Sequence, residues 1–193
     1  MSETEFAQSV PDEAMEVLQF WFLELKPEHW FGGSERVDTA CEQRFGETLA
    51  QAAAGKLDHW AKIPRGLLAL VIVLDQFSRN IHRDTAQAYA QDGKAQGFVE
   101  QALAKAWDEA MGMDERQFLY MPLMHAEDRD LQRLGVEKFE ALAETATGVV
   151  GFAEKHRAII EKFGRFPYRN DVLNREMTEA ERKWIEEEGN PFG

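Results

Sequence analysis

Two short stretches put polar chemistry directly on the end of an apolar segment. In "LALVIVLDQFSRNIHR" (residues 68–83) the most apolar run of the chain turns into Asp75, Gln76, Arg79, Asn80, His82 and Arg83. If a helix continues through it, Asp75 and Arg79 share one face at a four-residue step, and Arg79 and Arg83 repeat the step. A carboxylate between guanidinium groups can orient them as a fork for a phosphate or carboxylate. The opposing reading is a solvated helix end, where basic residues complement the C-terminal dipole and Asn80 terminates the helix. Phe77 and Ile81 require part of the run to be buried, so its polar groups need partners.

The second stretch, "KHRAIIEKFGRFPYRND" (residues 155–171), repeats the pattern with Arg165, Tyr168, Arg169, Asn170 and Asp171 after an apolar helix. Gly164 as a helix stop and Phe166-Pro167 as an extended turn explain the backbone but not this density of polar side chains. A purely structural reading stays open, with arginines and an asparagine satisfying helix-end carbonyls. His156 falls in step with Phe152 and Ile160 on the apolar stripe, which suits a hydrogen-bonded core histidine better than a catalyst. "YMPLMHAED" adds His125, Glu127 and Asp128 beside Tyr120, a combination able to act as an acid/base pair. No His-Glu-x-x-His, cysteine set or calcium loop is present, so no metal is expected. Phosphate-binding glycine loops, dinucleotide fingerprints and nucleophile elbows are also missing, and no cofactor is implied.

The elements that must position these groups read as helices. Pro11 suits a first turn, followed by Ala14, Val17, Leu18, Trp21 and Leu25 at three- and four-residue steps. "HWFGG" (residues 29–33) breaks that helix and either walls a pocket or plugs the bundle end. Ser34 is a plausible cap for a helix carrying Val37, Cys41, Phe45, Leu49 and Ala52, closed near Gly55. "LVIV" allows a buried strand, but Pro64 at its start, the pattern extending through Phe77, and the lack of a pairing strand favour a helix. Being apolar all round, it belongs at the centre. Asp92 can cap the next helix, with a stripe of Ala95, Phe98, Val99, Ala102, Leu103, Ala106 and Ala110. "DERQ" (residues 114–117) reads as a capping-box variant before "FLYMPLM", which Pro122 should kink or end. Leu131, Leu134, Phe139 and Leu142 mark another helix, and "TEAE" (residues 178–181) is a capping box for the last. The pattern amounts to about seven or eight antiparallel helices in hairpins, an all-α single domain over residues 1–193.

Bulk composition narrows the function classes. The 193 residues suffice for a real core, and a net charge of −13 opposes nucleic acid and anionic membrane as partners. The longest apolar block falls far short of the roughly 20 residues a spanning helix needs. No basic region precedes an apolar run at the N-terminus, and a lone cysteine fits a reducing compartment, so a cytoplasmic location is expected. The oligomeric state is open.

Taken in order, "VLQFWF", "HWFGG", "LALVIVLDQFSRNIHR", "AYAQD", "QFLYMPLMHAED" and "HRAIIEKFGRFPYRND" resemble the bacterial domain-of-unknown-function 924 family, from about Ala14 to Pro191. The resemblance implies an all-helical fold similar to tetratricopeptide-like αα-superhelices, and no established activity. It carries over the polar positions Asp75, Gln76, Arg79, Asn80, His125, Glu127, His156, Arg165, Arg169 and Asn170. Ser78 stands where the family pattern has proline, which should alter the turn more than the polar set.

These readings combine into one expectation. The two Arg-Asn stretches converge on a pocket for a small anion or peptide end, with Arg79, Arg165 and Arg169 holding a carboxylate or phosphate and Asn80 and Asn170 adding neutral bonds. Asp75 and Gln76 complete the set, Trp21, Trp30 and Tyr120 wall it, and His125, Glu127 and His156 are the weak candidates for proton transfer. The alternatives are a non-catalytic peptide-binding helical module and a buried ion network that only fixes helix register.

Overall fold

A computed structural model describes residues 9–31, 33–143 and 149–189. The first eight residues, Gly32 of "HWFGG" and the end of the resemblance at Pro191 lie outside the described residues. Within them every regular element is helical and no strand occurs.

The apolar run that allowed two readings is a helix, and it is central. α4 (Pro64–Val71) passes through a wider π turn, Ile72–Phe77, into α5 (Ser78–Ile81) without leaving helical backbone angles. Residues 66–78 are all buried, and full burial of each leucine, isoleucine or phenylalanine is worth about 1.5–3 kcal/mol. Four helices pack on this rod: α1 (Asp12–Gln19), α3 (Glu35–Ala53), α6 (Asp92–Ala104) and α7 (Met113–Met124). α1 buries Ala14, Val17, Leu18 and, in a π turn continuing it, Phe20 and Trp21. α3 buries the stripe read from spacing and ends before Gly55, whose φ of 79° suits only a residue without Cβ. Edge-on and stacked aromatics knit these helices together, with Phe45–Phe77 centroids 4.8 Å apart and Trp21–Phe118 5.2 Å. At Gly66 the rod passes so close to the preceding 3₁₀ turn that a Cβ would collide with the Trp60 carbonyl oxygen.

The rest is built as successive hairpins. α7 packs on α8 (Arg129–Leu142) and α8 on α9 (Val149–Phe163). Asp128 caps α8 by accepting from the Asp130 and Leu131 amides, both at 2.9 Å. A short α2 (Pro27–Trp30) lies after α1, and α10 (Glu179–Glu188) opens on the expected box, Thr178 and Glu181 exchanging bonds of 2.8 and 3.2 Å. A smaller core of Ile159, Ile160 and Phe166, with Phe163, Tyr168 and Trp184, seals the C-terminal end. No described helix is long and apolar enough to cross a membrane.

Several details depart from periodicity. α6 ends at Ala104; Ala106 takes a left-handed φ of 53° and is exposed, as is Ala110, so neither belongs to the stripe. α7 begins at a Gly112 cap, whose amide donates to Glu115 at 3.0 Å, so the box starts two residues before Asp114. α7 contains Pro122 and stops two residues beyond it. Phe152 is 54% exposed, and Ala153 takes the buried position on α9.

Candidate functional site

The π turn matters because it accommodates an additional residue per turn and re-aims the side chains after it, the kind of defect often found at functional sites. It brings the Asp75 carboxylate, only 1% exposed, under the end of α7, where the His125 Nδ1–H donates to it at 2.8 Å. Gln76 Nε2 donates to the other Asp75 oxygen, and Arg79 Nη1 lies 2.9 Å from the first. Arg79 is held from its far side by Asp92, at 2.8 and 3.0 Å through two nitrogens. Asp92 is not the cap that spacing suggests; it is the first residue of α6, and its carboxylate serves the site. The second Arg-Asn stretch arrives at the same place. Arg169 lies 3.6 Å from Asp92, donates to the His125 carbonyl oxygen at 3.3 Å, and stacks over Tyr89 and Phe166 at 4.6 and 4.4 Å.

A cavity of about 630 Å³ opens beside this cluster, within the range that holds drug-sized ligands. Its polar lining includes Gln76, Arg79, Asn80, Arg169, His125 and His156, and its apolar lining includes Trp30, Phe31, Met121, Met124, Phe152 and Tyr168. Arg83 and Asp84 stand on its edge, and Arg83 is tied to Asp38 by two bonds of 2.7 Å. Asn80 also donates to Asp38, at 2.8 Å. A smaller cavity of about 220 Å³ lies on the other side of Tyr89 and Arg169, lined by Asp92, Gln96, Glu127 and Arg175.

Protonation states are set by the geometry. Burial would raise the Asp75 carboxyl, but Arg79 and then His125 outweigh it and hold the group well below the usual carboxylate range. Burial, and next the Arg79 charge, push His125 below the ordinary imidazole value despite Asp75. His125 is therefore neutral at pH 7 with its proton on Nδ1, directed at an acceptor-only carboxylate, which leaves the lone pair on Nε2. His156 donates from Nδ1 to the Phe152 carbonyl oxygen at 2.8 Å, and burial followed by the proximity of His125 lowers it to about 3. The two imidazole centroids are 6.0 Å apart.

Not every residue named from the sequence is here. Arg165 is clasped by Glu181 at 2.6 and 2.8 Å and does not line the cavity. Glu127 accepts from the Phe166 amide at 3.1 Å and from Arg175 at 3.0 Å, facing the smaller cavity. Asn170 is fully buried against Met177 Sδ at 3.3 Å. Tyr120 is a core residue whose hydroxyl donates to Asp108 at 2.7 Å, and Trp21 is wholly buried; neither walls the cavity, whereas Trp30 does. Cys41 is buried in α3, and burial raises its thiol to about 12, so it packs rather than reacts.

Residues 17–189 match the family described as bacterial protein of unknown function (DUF924). The chain belongs to that family. A solved structure of a protein of unknown function from Agrobacterium tumefaciens is 38% identical to this chain. It superposes with a TM-score of 0.84, covering 90% of this chain and 97% of its own. No curated protein matches the chain.

Three site residues of this DUF924 chain escape a reading by spacing: Asp92, Tyr89 and Asp38. Tyr89 and Asp92 lie within "AYAQD" (residues 88–92), where spacing reads Asp92 only as a helix cap and Tyr89 enters only through the family resemblance. Asp38 lies on the polar side of a helix recognised by its apolar stripe, where nothing local marks it. Among the described residues no three histidines, cysteines or acids group as a metal set. Among the described residues that line the cavity, His125, Arg169 and Asn80 offer proton transfer and hydrogen bonding.

Proposed function

We propose that the cavity receives a small cytoplasmic molecule carrying a carboxylate or phosphate, with Arg169 and Asn80 binding the anion and His125 accepting a proton from the bound ligand or its attending water. The observation that carries this reading is the convergence of the two Arg-Asn stretches beside an imidazole oriented by a buried carboxylate. The cavity lining has three arginines against one aspartate, with Asp38, Asp75 and Asp92 paired to those arginines. Their carboxylate partners stand behind them, which fixes the guanidinium planes before a ligand arrives. Arg169 is the group best able to take an anion: it is 5% exposed, its carboxylate is beyond hydrogen-bonding distance, and its buried Nε has no partner among the described residues. Arg165 and Glu127 belong instead to the structural reading, since each closes a contact between loops and helices away from the large cavity.

Isothermal titration with acetate, butanoate and inorganic phosphate tests the proposal. One or more of these anions should bind, Arg169→Gln should weaken the tightest at least tenfold, and the enthalpy should vary with buffer ionisation through His125. Binding by none of the three, or equal binding by Arg169→Gln, would refute it.

A further inference from the structure

Two large apolar side chains at the cavity stand exposed among the described residues. Phe31, just past α2, is 61% exposed, and Phe152 on α9 is 54% exposed, yet both line the same cavity as Arg169 and His125. Phenylalanine exposed to that degree needs a reason when it recurs on one opening. The lining of the cavity also includes the apolar Trp30, Met121 and Met124. Methionine side chains have three flexible bonds and a polarizable sulfur, so this floor adapts to variable apolar shapes. A bare carboxylate or phosphate would fill little of about 630 Å³.

We infer that the ligand is an amphipathic monocarboxylate: its head lies at Arg169 and His125, and its aliphatic tail runs across Met121 and Met124 to emerge between Phe31 and Phe152. The inference rests on the anion reading above and adds the chemistry of the remainder of the ligand. Aromatic edges at the opening give a methylene chain contact without demanding a fixed length. Against the methionine and phenylalanine part of the lining a sugar phosphate's hydroxyls would find no partners, a penalty an alkyl chain avoids; His29, Arg83, Asp84 and Gln117 are further polar groups at the cavity.

The test is a length series, butanoate, hexanoate, octanoate and decanoate, titrated calorimetrically into the full chain below micelle-forming concentrations. Glucose 6-phosphate and the corresponding alkyl amines serve as counter-ligands. Affinity should rise about fourfold for each methylene that becomes buried. The double change Phe31→Ser with Phe152→Ser alters only exposed side chains. It should leave butanoate binding unchanged while weakening decanoate about tenfold. Butanoate binding with no gain along the series, or glucose 6-phosphate binding more tightly than octanoate, overturns the tail and leaves the anion site standing. Failure of every carboxylate to bind overturns the monocarboxylate, failure of inorganic phosphate as well overturns the anion site, and tighter binding by the amines overturns the head group's sign.

Discussion

Arg79 and Arg165 each lie at or just past a helix end, and each is gripped at two points by a carboxylate. Asp92 holds Arg79 at 2.8 and 3.0 Å, and Glu181 holds Arg165 at 2.6 and 2.8 Å. Around Arg165 the bonding closes on itself, because Glu181 also completes the cap of α10 with Thr178. Around Arg79 it stays open: Asp75 passes the contact to His125, Asp92 shares it loosely with Arg169, and a cavity adjoins. An ion pair is therefore no mark of either role. What separates the two clusters is the unmatched hydrogen-bonding capacity left over, and whether an open volume borders it.

The difference can be broken most forcefully at Asp75. Removing it in Asp75→Ala strips a buried guanidinium and an imidazole of their shared partner, and should cost about 3–5 kcal/mol in urea-unfolding experiments. A loss under about 1 kcal/mol would mean that the cluster is solvated and the contrast with Arg165 is empty.

Acid separates the clusters next. In the unfolded chain His156 takes a proton near its ordinary 6.5, whereas in the folded protein burial lowers that point to about 3. Between those values the unfolded state binds a proton that the native state does not, so stability falls as pH drops from 6.5 towards 3. The slope is at most about 1.4 kcal/mol per pH unit for each such histidine, and His125 acts in the same direction. Glu181 behaves differently: chiefly through the Arg165 bond it moves from 4.5 to about 2, a contribution complete above 4.5 and lost as pH falls towards 2. His156→Phe should thus flatten the stability curve between pH 6.5 and 4.5, and Glu181→Gln should flatten it only below 4.5. Urea midpoints across that range decide the matter, and identical curves for the two variants would erase the distinction.

The smallest effect belongs to the cap. Thr178→Ala should cost about 1 kcal/mol and leave butanoate affinity unchanged in calorimetric titration. A change in affinity would couple the Arg165 clasp to the cavity and merge the two regions.

Much of this is legible in the sequence because it depends on local pattern. The buried rod is implied by an all-apolar run opened by Pro64, and the α10 cap by "TEAE". The meeting of residues 68–83 with residues 155–171 is implied by their matching chemistry, and Arg79, Asn80, Arg169, His125 and His156 do line one cavity. The hidden part depends on registers that no local pattern encodes. Asp75 meets Arg79 at the four-residue step that spacing gives, but its contact with His125 from a π turn is marked by no local pattern. Arg83 lies beyond the end of α5 and turns to Asp38 on α3. Phe152 resembles core because helical periodicity finds an apolar face without saying whether anything covers it. Tyr120 stands near polar neighbours in the sequence, but its hydroxyl is taken by Asp108 from the preceding 3₁₀ turn.

The widened turn at Ile72–Phe77 makes the central rod two screws joined out of phase. If the same residues closed to regular α pitch with none removed, Arg79 and Asn80 would swing by about 100° relative to α4. The apolar layers would hold their places while the polar end rotated away from Asp92 and Asp38. The wide pitch of that segment, more than the identity of its isoleucine, valine and leucine, is what keeps the two halves of the rod pointing at their separate neighbours.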